Sequence, residues 1–248
     1  MTRCWDNASI ITIDVDWAPD FIISEIAEIL IRNRTKATWF ITHDSEAIRT
    51  LFDIPNLFEV GLHPNFMSNS TQGSTPKEVM RYLKNIAPDA VSVRMHALVQ
   101  STILLRTLTE EFGMRNDVSL LLPRAACLVP HRLYFAENSY LVRLPYFWED
   151  DVEALHFASS YLLEDEFHHA SGLKIYNFHP FHIVTNMSSP TSYELFKTYS
   201  SIPLCTPSDI EHLRNERCGT GTLFRDLIQH ISGGYTIGDV AREWDKEG

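Results

Sequence analysis

The chain has 248 residues, of which 44% are hydrophobic and 11% aromatic, so it can bury the core of one large α/β domain or of two small ones. Its formal net charge of −11 opposes contact with phosphate backbones and anionic headgroups, which argues against a nucleic-acid-binding protein. No segment has the length of a membrane span, the N-terminus lacks the apolar core of a signal peptide, and the four cysteines show no CxxC spacing, so we expect a cytoplasmic protein with reduced thiols.

Short apolar runs alternate with helical patterns along the chain, which is typical of a parallel sheet wrapped by helices. Helical faces are predicted at 21–31 and 101–112, and the polar stretch 67–76 is interpreted as a loop that lines the mouth of a pocket. Seven strands favour a barrel over a small open sheet. The predicted strands are 9–14, 37–42, 58–62, 91–95, 118–122, 141–144 and 173–178.

The pattern predicts one domain over residues 1–248, without a repeat or a long linker. From residue 219 onward it predicts two amphipathic helices, 222–231 and 237–244, separated by two glycines. We assign residues 219–248 to closing the barrel rather than to catalysis.

Two carboxylates end the first predicted strand. Asp14 and Asp16 are spaced i, i+2, which places both on the same side if the extended conformation continues. Such a pair usually needs a cation or an arginine, or else one of the two takes up a proton. The alternative interpretation is that they are turn or capping residues.

Two later strand ends carry further polar side chains. His63 follows the third strand and precedes a proline. It can be either a metal ligand or a hydrogen-bonded structural histidine. Arg94 and His96 form a second i, i+2 pair at the end of the fourth strand. The arginine could neutralise one of the aspartates and His96 could complete a metal site, whereas a surface ion pair is the other possibility.

Residues 143–151 place an aromatic wall before three acids. This combination suits a sugar ring, whose CH faces stack on aromatic rings, although a core strand followed by an acidic helix N-terminus has the same pattern. The last predicted strand ends at His179, with His182 three residues further on, and one of these histidines can act as an acid.

Taken together, these segments resemble the polysaccharide deacetylases of the NodB-homology type, carbohydrate esterase family 4, and particularly their O-antigen-associated, WbmS-type relatives. The resemblance covers nearly the whole chain in the same order. Residues 36–40, KATWF, look like the family's KATFF segment, and residues 144–151 look like its fourth motif. The resemblance implies an α/β fold, a deformed seven-stranded (β/α) barrel, which agrees with the strand count.

The resemblance also implies roles for individual residues. Asp14 matches the aspartate base and Asp16 the metal-binding aspartate, although the family's usual TFDDG places the two side by side and Val15 separates them here. Arg94 matches the arginine that buttresses the base, and His179 matches the histidine acid.

The second motif of the family supplies two histidines four residues apart, and this chain retains the first of them. His63 matches, but Met67 stands at the second position. We expect His96 to serve as the third protein ligand, with His43 as the reserve choice. Asn65 offers only a neutral amide oxygen, and the thioether of Met67 is a poor ligand for a borderline cation.

The predicted reaction is metal-dependent hydrolysis of an N-acyl group, in the simplest case acetyl, from an amino sugar in cell-surface polysaccharide biosynthesis. The sugar is expected to be linked to a nucleotide or a lipid, and the ion to be Zn²⁺, although cobalt, nickel and iron accept the same ligands. Alternatives are hydrolysis of another C–N bond, such as a formamide or a cyclic amide, and a degenerate, sugar-binding protein without turnover. Asp151 is expected to orient His179. The expected substrate contacts are Trp17, Asn65, Tyr146, Trp148 and His182.

Overall fold

A curled mixed sheet forms the centre of the molecule. The computed structural model describes residues 8–157, 161–231 and 233–246. In this part of the chain, nine strands form one sheet and ten α-helices are interspersed with them, which confirms the predicted α/β fold. The strands are β1 (Ser9–Asp14), β2 (Ala37–Ile41), β3 (Phe58–Leu62), β4 (Ser92–Val93), β5 (Asn116–Asp117), β6 (His131–Ala136), β7 (Ser139–Arg143), β8 (Trp148–Glu149) and β9 (Lys174–Phe178).

The sheet curls back on itself along one bent segment. Its strand order is β6-β7-β5-β4-β3-β2-β1-β9-β8, and β6–β7 is an antiparallel hairpin in an otherwise parallel sheet. Strands β7 and β8 lie within residues 139–149, which pair with β5 at one end and with β9 at the other. Between them, the backbone of Tyr146 bonds to Leu120 and Leu122. Counted with residues 139–149 as one strand and without the hairpin strand β6, the described sheet has seven positions around the curl.

Two details of the predicted strand list are wrong. The strand predicted at 118–122 is the two-residue strand β5, after which Leu121 keeps an isolated bridge to Tyr146. Strands β6 and β8 were not predicted. The side chains of β6 are exposed or half-buried, so its sequence lacks an apolar run, and β8 has only two residues. Short or exposed strands give no periodic signal in the sequence.

Several of the helices begin at a residue whose side chain caps them. The hydroxyl of Thr75 accepts from the N–H of Glu78 in a capping box at the start of α3 (Pro76–Ile86), and the hydroxyl of Ser101 caps α4 (Thr102–Phe112). Helix α4 ends at Gly113, whose φ of 69° is left-handed. The helices are α1 (Asp20–Arg32), α2 (Glu46–Phe52), α3 (Pro76–Ile86), α4 (Thr102–Phe112), α5 (Asp150–His156), α6 (Pro180–Val184), α7 (Pro190–Lys197), α8 (Pro207–Leu213), α9 (Thr220–His230) and α10 (Ile237–Lys246).

The C-terminal helix packs against the starts of β2 and β3. The backbone N–H of Ile237 donates to the hydroxyl of Thr38 over 2.9 Å, and the N–H of Gly238 donates to the carboxylate of Glu59 over 2.7 Å. These bonds tie α10 to the sheet, and the closing role of residues 219–248 stays a prediction. Residues 247 and 248 lie outside the described part. None of the helices in the described residues is both long and apolar enough to cross a membrane.

Gly61 provides a test of how tightly the sheet is packed next to the predicted site. A Cβ at this position would lie 2.7 Å from the ring of Phe40 and 2.9 Å from the carbonyl oxygen of Ser92. Gly61→Ala should therefore lower the free energy of unfolding by about 1–3 kcal/mol, measured by urea denaturation. Gly113→Asn is the control, because nothing lies within 4 Å of that position and asparagine tolerates the left-handed conformation. Equal stability of Gly61→Ala and the wild type would contradict this packing.

Candidate active site

The ends of the parallel strands bring the predicted polar residues together. Asp14 ends β1, while His63, Arg94 and His179 directly follow β3, β4 and β9. Because parallel strands end on the same side of a sheet, these side chains become neighbours. They form three groups, namely a possible metal-ligand triad, a buried carboxylate–arginine pair, and a histidine–carboxylate pair.

The first group consists of Asp16, His63 and His96. Oδ1 of Asp16 lies 3.1 Å from Nε2 of His63 and 3.2 Å from Nδ1 of His96, and these two ring nitrogens are 3.2 Å apart. Burial raises the pKa of Asp16, but the two histidines lower it more, so this pKa lies well below its usual value. The structure thus brings the three predicted metal ligands together.

The triad fits a divalent metal ion. One carboxylate and two imidazoles form a ligand set that zinc and its neighbouring transition metals accept. Oδ1 of Asp16 is buried and makes no hydrogen bond within the described residues, although two ring nitrogens lie within 3.2 Å of it. Ligand atoms about 2.0–2.2 Å from one ion in tetrahedral directions lie roughly 3.3–3.6 Å apart, which is close to these separations.

Backbone conformation and a buried glutamine position the ligands. Asp16 and Trp17 have φ values of 43° and 57°, and Ala97, directly after His96, has a φ of 50°. Left-handed residues other than glycine are costly and tend to occur at functional sites. The side-chain amide of Gln72 donates to the carbonyl of His63 over 3.2 Å and so braces the second ligand segment.

The other candidates for the third ligand are engaged elsewhere. Nδ1 of His43 lies 2.9 Å from the hydroxyl of Thr42, and His43 belongs to none of the possible metal-ligand groups found in the described residues. Oδ1 of Asn65 accepts from the backbone N–H of Met67, and the side chain of Met67 points to solvent, with 51% of the residue exposed.

The second group is a buried ion pair between Asp14 and Arg94. Nη1 of Arg94 donates to Oδ1 of Asp14 over 3.0 Å, and Nε donates to the carbonyl of Val118 over 3.0 Å. The guanidinium lies 4.7 Å from the ring centre of Phe40 and 4.4 Å from that of Tyr146. Both charged partners are shielded from water, which strengthens their attraction and makes each dependent on the other.

The third group corrects one prediction. Nδ1 of His179 lies 2.6 Å from Oδ1 of Asp150, and the backbone N–H of His179 donates to Oδ2 over 2.8 Å. Asp151, which we expected in this role, instead accepts from the N–H of Val152, because successive side chains at the start of α5 point in different directions. Burial lowers the pKa of His179, but Asp150 raises it more, to well above its usual value.

The predicted substrate contacts divide into buried and accessible residues. Tyr146 and Trp148 are at most 1% exposed, so the expected stacking of a sugar ring on either is wrong. His182 is also buried, with Nδ1 3.2 Å from Oδ1 of Asp150. Trp17 is half-buried with its ring 5.3 Å from that of His96, and remains next to the triad.

A small cleft connects the acid with the metal-ligand triad. It has a volume of about 50 Å³, and its lining includes Asp16, Asp151, His179 and Tyr193. Tyr193 was missed because it lies on α7, outside any strand end. Three further residues of the site were also missed, although their positions next to predicted ones could have suggested them. They are Glu149, Asp150 and Asn177.

The comparisons with known proteins agree with this geometry. The sequence profile of a family described as WbmS-like polysaccharide deacetylase matches residues 11–197. The chain is similar to a solved structure from Bordetella bronchiseptica, WbmS, described as a polysaccharide deacetylase involved in O-antigen biosynthesis. The identity is 31%, the TM-score is 0.80, and 91% of each chain is covered.

More distant similarity extends to two solved structures of the CE4 family. One is a pseudoenzyme from Bacillus anthracis, at 14% identity over 95% of this chain and 66% of that chain, with a TM-score of 0.48. The other is the CE4 domain of a multidomain xylanase from the hindgut metagenome of Trinervitermes trinervoides. Its identity is 11% over 96% of this chain and 90% of that chain, with a TM-score of 0.46. No curated protein matches the chain.

His96 provides the test of the metal-ligand triad. His96→Ala should weaken binding of Zn²⁺ by at least about tenfold, because it removes one of three protein ligands. Asn65→Ala and His43→Ala are the controls and should keep the affinity, since neither residue belongs to the triad. Metal content after dialysis, measured by plasma mass spectrometry, decides the matter. Full retention of the ion by His96→Ala would show that the third ligand is another residue.

Asp150 and Asp151 can be distinguished by titrating His179. Asp150→Asn should lower the pKa of His179 substantially, whereas Asp151→Asn should lower it less, because only Asp150 contacts the ring. A pH titration of the His179 imidazole followed by NMR measures this pKa in both variants. Because the raised pKa means that the folded state holds the proton more tightly, this pair stabilises the fold below about pH 6.5, and the contribution is lost as pH rises through the folded-state pKa. A larger shift in Asp151→Asn would restore the original assignment.

Proposed function

The chain belongs to the WbmS-like polysaccharide deacetylase family, and we propose that it removes an N-acyl group, in the simplest case acetyl, from an amino sugar by metal-dependent hydrolysis. One observation carries this proposal. A carboxylate–imidazole triad fit for a divalent ion lies between a buried carboxylate, Asp14, and a protonated imidazole, His179. Hydrolysis of an amide needs a base to activate water and an acid to protonate the leaving nitrogen, and these two residues have the required character.

Asp16, His63 and His96 would hold the ion, with Zn²⁺ as the expected metal. When bound in such a site, the ion acidifies water and polarises the acyl carbonyl. His96 supplies the ligand that the family's second motif lacks in this chain, where Met67 replaces a histidine. A complete ligand set supports turnover over a degenerate, sugar-binding protein.

Asp14 serves as the general base. Its carboxylate is buried and lies 3.8 Å from Nδ1 of His63, next to the triad. Arg94 favours the ionised form of the carboxylate and holds one of its oxygens. In this form Asp14 accepts a proton from the attacking water.

His179 serves as the general acid. Asp150 bonds to Nδ1, so the proton to be donated is carried on Nε2, which lies 3.7 Å from Oδ2 of Asp16. His179 lines the cleft next to the triad. The raised pKa keeps His179 protonated until the departing nitrogen accepts the proton.

The small cleft and the B. bronchiseptica relative support an acetylated amino sugar of a cell-surface polysaccharide as the substrate. About 50 Å³ next to His179 suits a short acyl group or a part of the sugar ring, and Trp17 offers a half-buried aromatic surface near the triad. The relative is described as acting in O-antigen biosynthesis. That the sugar is linked to a nucleotide or a lipid stays a prediction. The cytoplasmic location of the protein also stays a prediction.

Release of acetate from N-acetylated sugar nucleotides and lipid-linked sugars tests the proposed reaction. The wild type loaded with Zn²⁺ should release acetate and a free amine. Asp14→Asn should lose at least about 100-fold in kcat while its metal content stays unchanged, because the base lies outside the coordination shell. Asp16→Asn is the matched variant that should lose the ion. If Asp14→Asn loses the ion and Asp16→Asn keeps it, the two roles are reversed.

A further inference from the structure

Asn177 is a fully buried amide near the end of β9 that contacts the proposed base, Asp14, and two of its neighbours, Arg94 and Glu149. Its Nδ2 donates to Oδ2 of Asp14 over 2.9 Å and lies 3.2 Å from Oε1 of Glu149. Its Oδ1 accepts from Nη1 of Arg94 and lies 3.3 Å from the hydroxyl of Thr12. The amide is therefore hydrogen-bonded on both sides.

The orientation of this amide follows from its neighbours. Arginine only donates and an ionised carboxylate only accepts, so Oδ1 must face Arg94 and Nδ2 must face Asp14. If the amide were flipped, its N–H donors would face the N–H of Arg94, and its oxygen would face the carboxylate of Asp14. Water could not relieve either clash, because Asn177 has 0% exposure.

Asn177 completes the hydrogen bonding of Asp14. Arg94 holds Oδ1 of this carboxylate, and Asn177 holds Oδ2. With a donor on each oxygen, the carboxylate cannot rotate without breaking a buried hydrogen bond. With Arg94 alone, one oxygen would be unpaired, and the plane of the base would be poorly defined.

Glu149 adds a second carboxyl to the same cluster. Ligand atoms of Glu149, Asp14 and His179 lie within 4.8 Å of one another, and the hydroxyl of Tyr146 lies 2.9 Å from Oε2 of Glu149. Burial and the charge of Asp151 raise the pKa of Glu149 to about 8. The salt bridge of Arg94 goes to Asp14, and the raised pKa of Glu149 favours the proton on Glu149.

We propose that Asn177 is a positioning residue that holds Asp14 in the orientation for proton transfer and, by donating to both carboxyls, separates it from Glu149. This inference rests on the proposed function, because it assigns the orientation of the base. Asn177 itself is buried and contacts neither the triad nor the cleft. It should therefore affect kcat rather than KM.

Asn177→Asp is the first test, since it keeps the shape and the acceptor for Arg94 but loses the donor to both carboxyls. We expect kcat to fall by about 10–100-fold, with KM and metal content unchanged. Thr12→Val is the matched control, because it removes a hydroxyl that contacts Oδ1 and leaves both N–H donors in place. Its kcat should stay within about twofold of the wild type. A wild-type kcat in Asn177→Asp, or a loss that follows loss of the metal, would overturn the proposal.

Thermal unfolding tests the separation of the two carboxyls without a substrate. Asn177→Asp places a third carboxyl against Asp14 and Glu149 and should lower the unfolding midpoint. Adding Glu149→Gln returns an amide to the cluster and should recover most of that loss, while kcat stays low because Oδ2 of Asp14 still lacks its donor. An additive effect of the two substitutions would refute the separating role. If the wild type releases no acyl group from any substrate, the proposed function fails, and the unfolding comparison still decides the role of Asn177.

Discussion

The buried charge of Arg94 is the constraint on which the rest of the site depends. Its guanidinium has no exposure to water, so the protein must supply every compensating contact. Asp14 supplies the opposite charge, Val118 and Asn177 supply acceptors, and two aromatic faces enclose the cation. Removing any partner would leave a buried group unsatisfied, which explains why residues from four separate strand ends are drawn to this position.

This arrangement gives four neighbouring acids different roles. Asp14 pairs with Arg94. Two histidines lower the pKa of Asp16, and His179 and His182 lower that of Asp150 despite its burial. For Glu149, burial and the negative charge of Asp151 outweigh the attraction of His179 and Arg94, so this carboxyl holds its proton more tightly. In the proposed function, the same type of side chain thus serves as base, metal ligand, orienting group and proton-bearing neighbour, because local charge and burial decide which form is stable.

The positions at strand ends were the most predictable part of the site. Asp14, Asp16, His63, Arg94, His96 and His179 each end an apolar run, and period-two spacing placed His96 on the side of the arginine. Residues that start a helix were less predictable. Asp150 and Asp151 are adjacent and chemically alike. The direction of the backbone at the start of α5 decides which of them reaches His179, and no periodic sequence pattern predicts that direction.

The sequence by itself determined the α/β class, the central strands and the identity of the polar strand ends, because hydrophobic periodicity is a local property of the chain. The tertiary structure decided the rest, because burial depends on partners distant in sequence. It placed Tyr146 beneath Arg94 rather than in a sugar site, made Trp148 part of the core, and set Asn177 between two carboxyls through the pairing of β9 with β1. A side chain's exposure and hydrogen-bond partners follow from the whole fold, and no local pattern contains them.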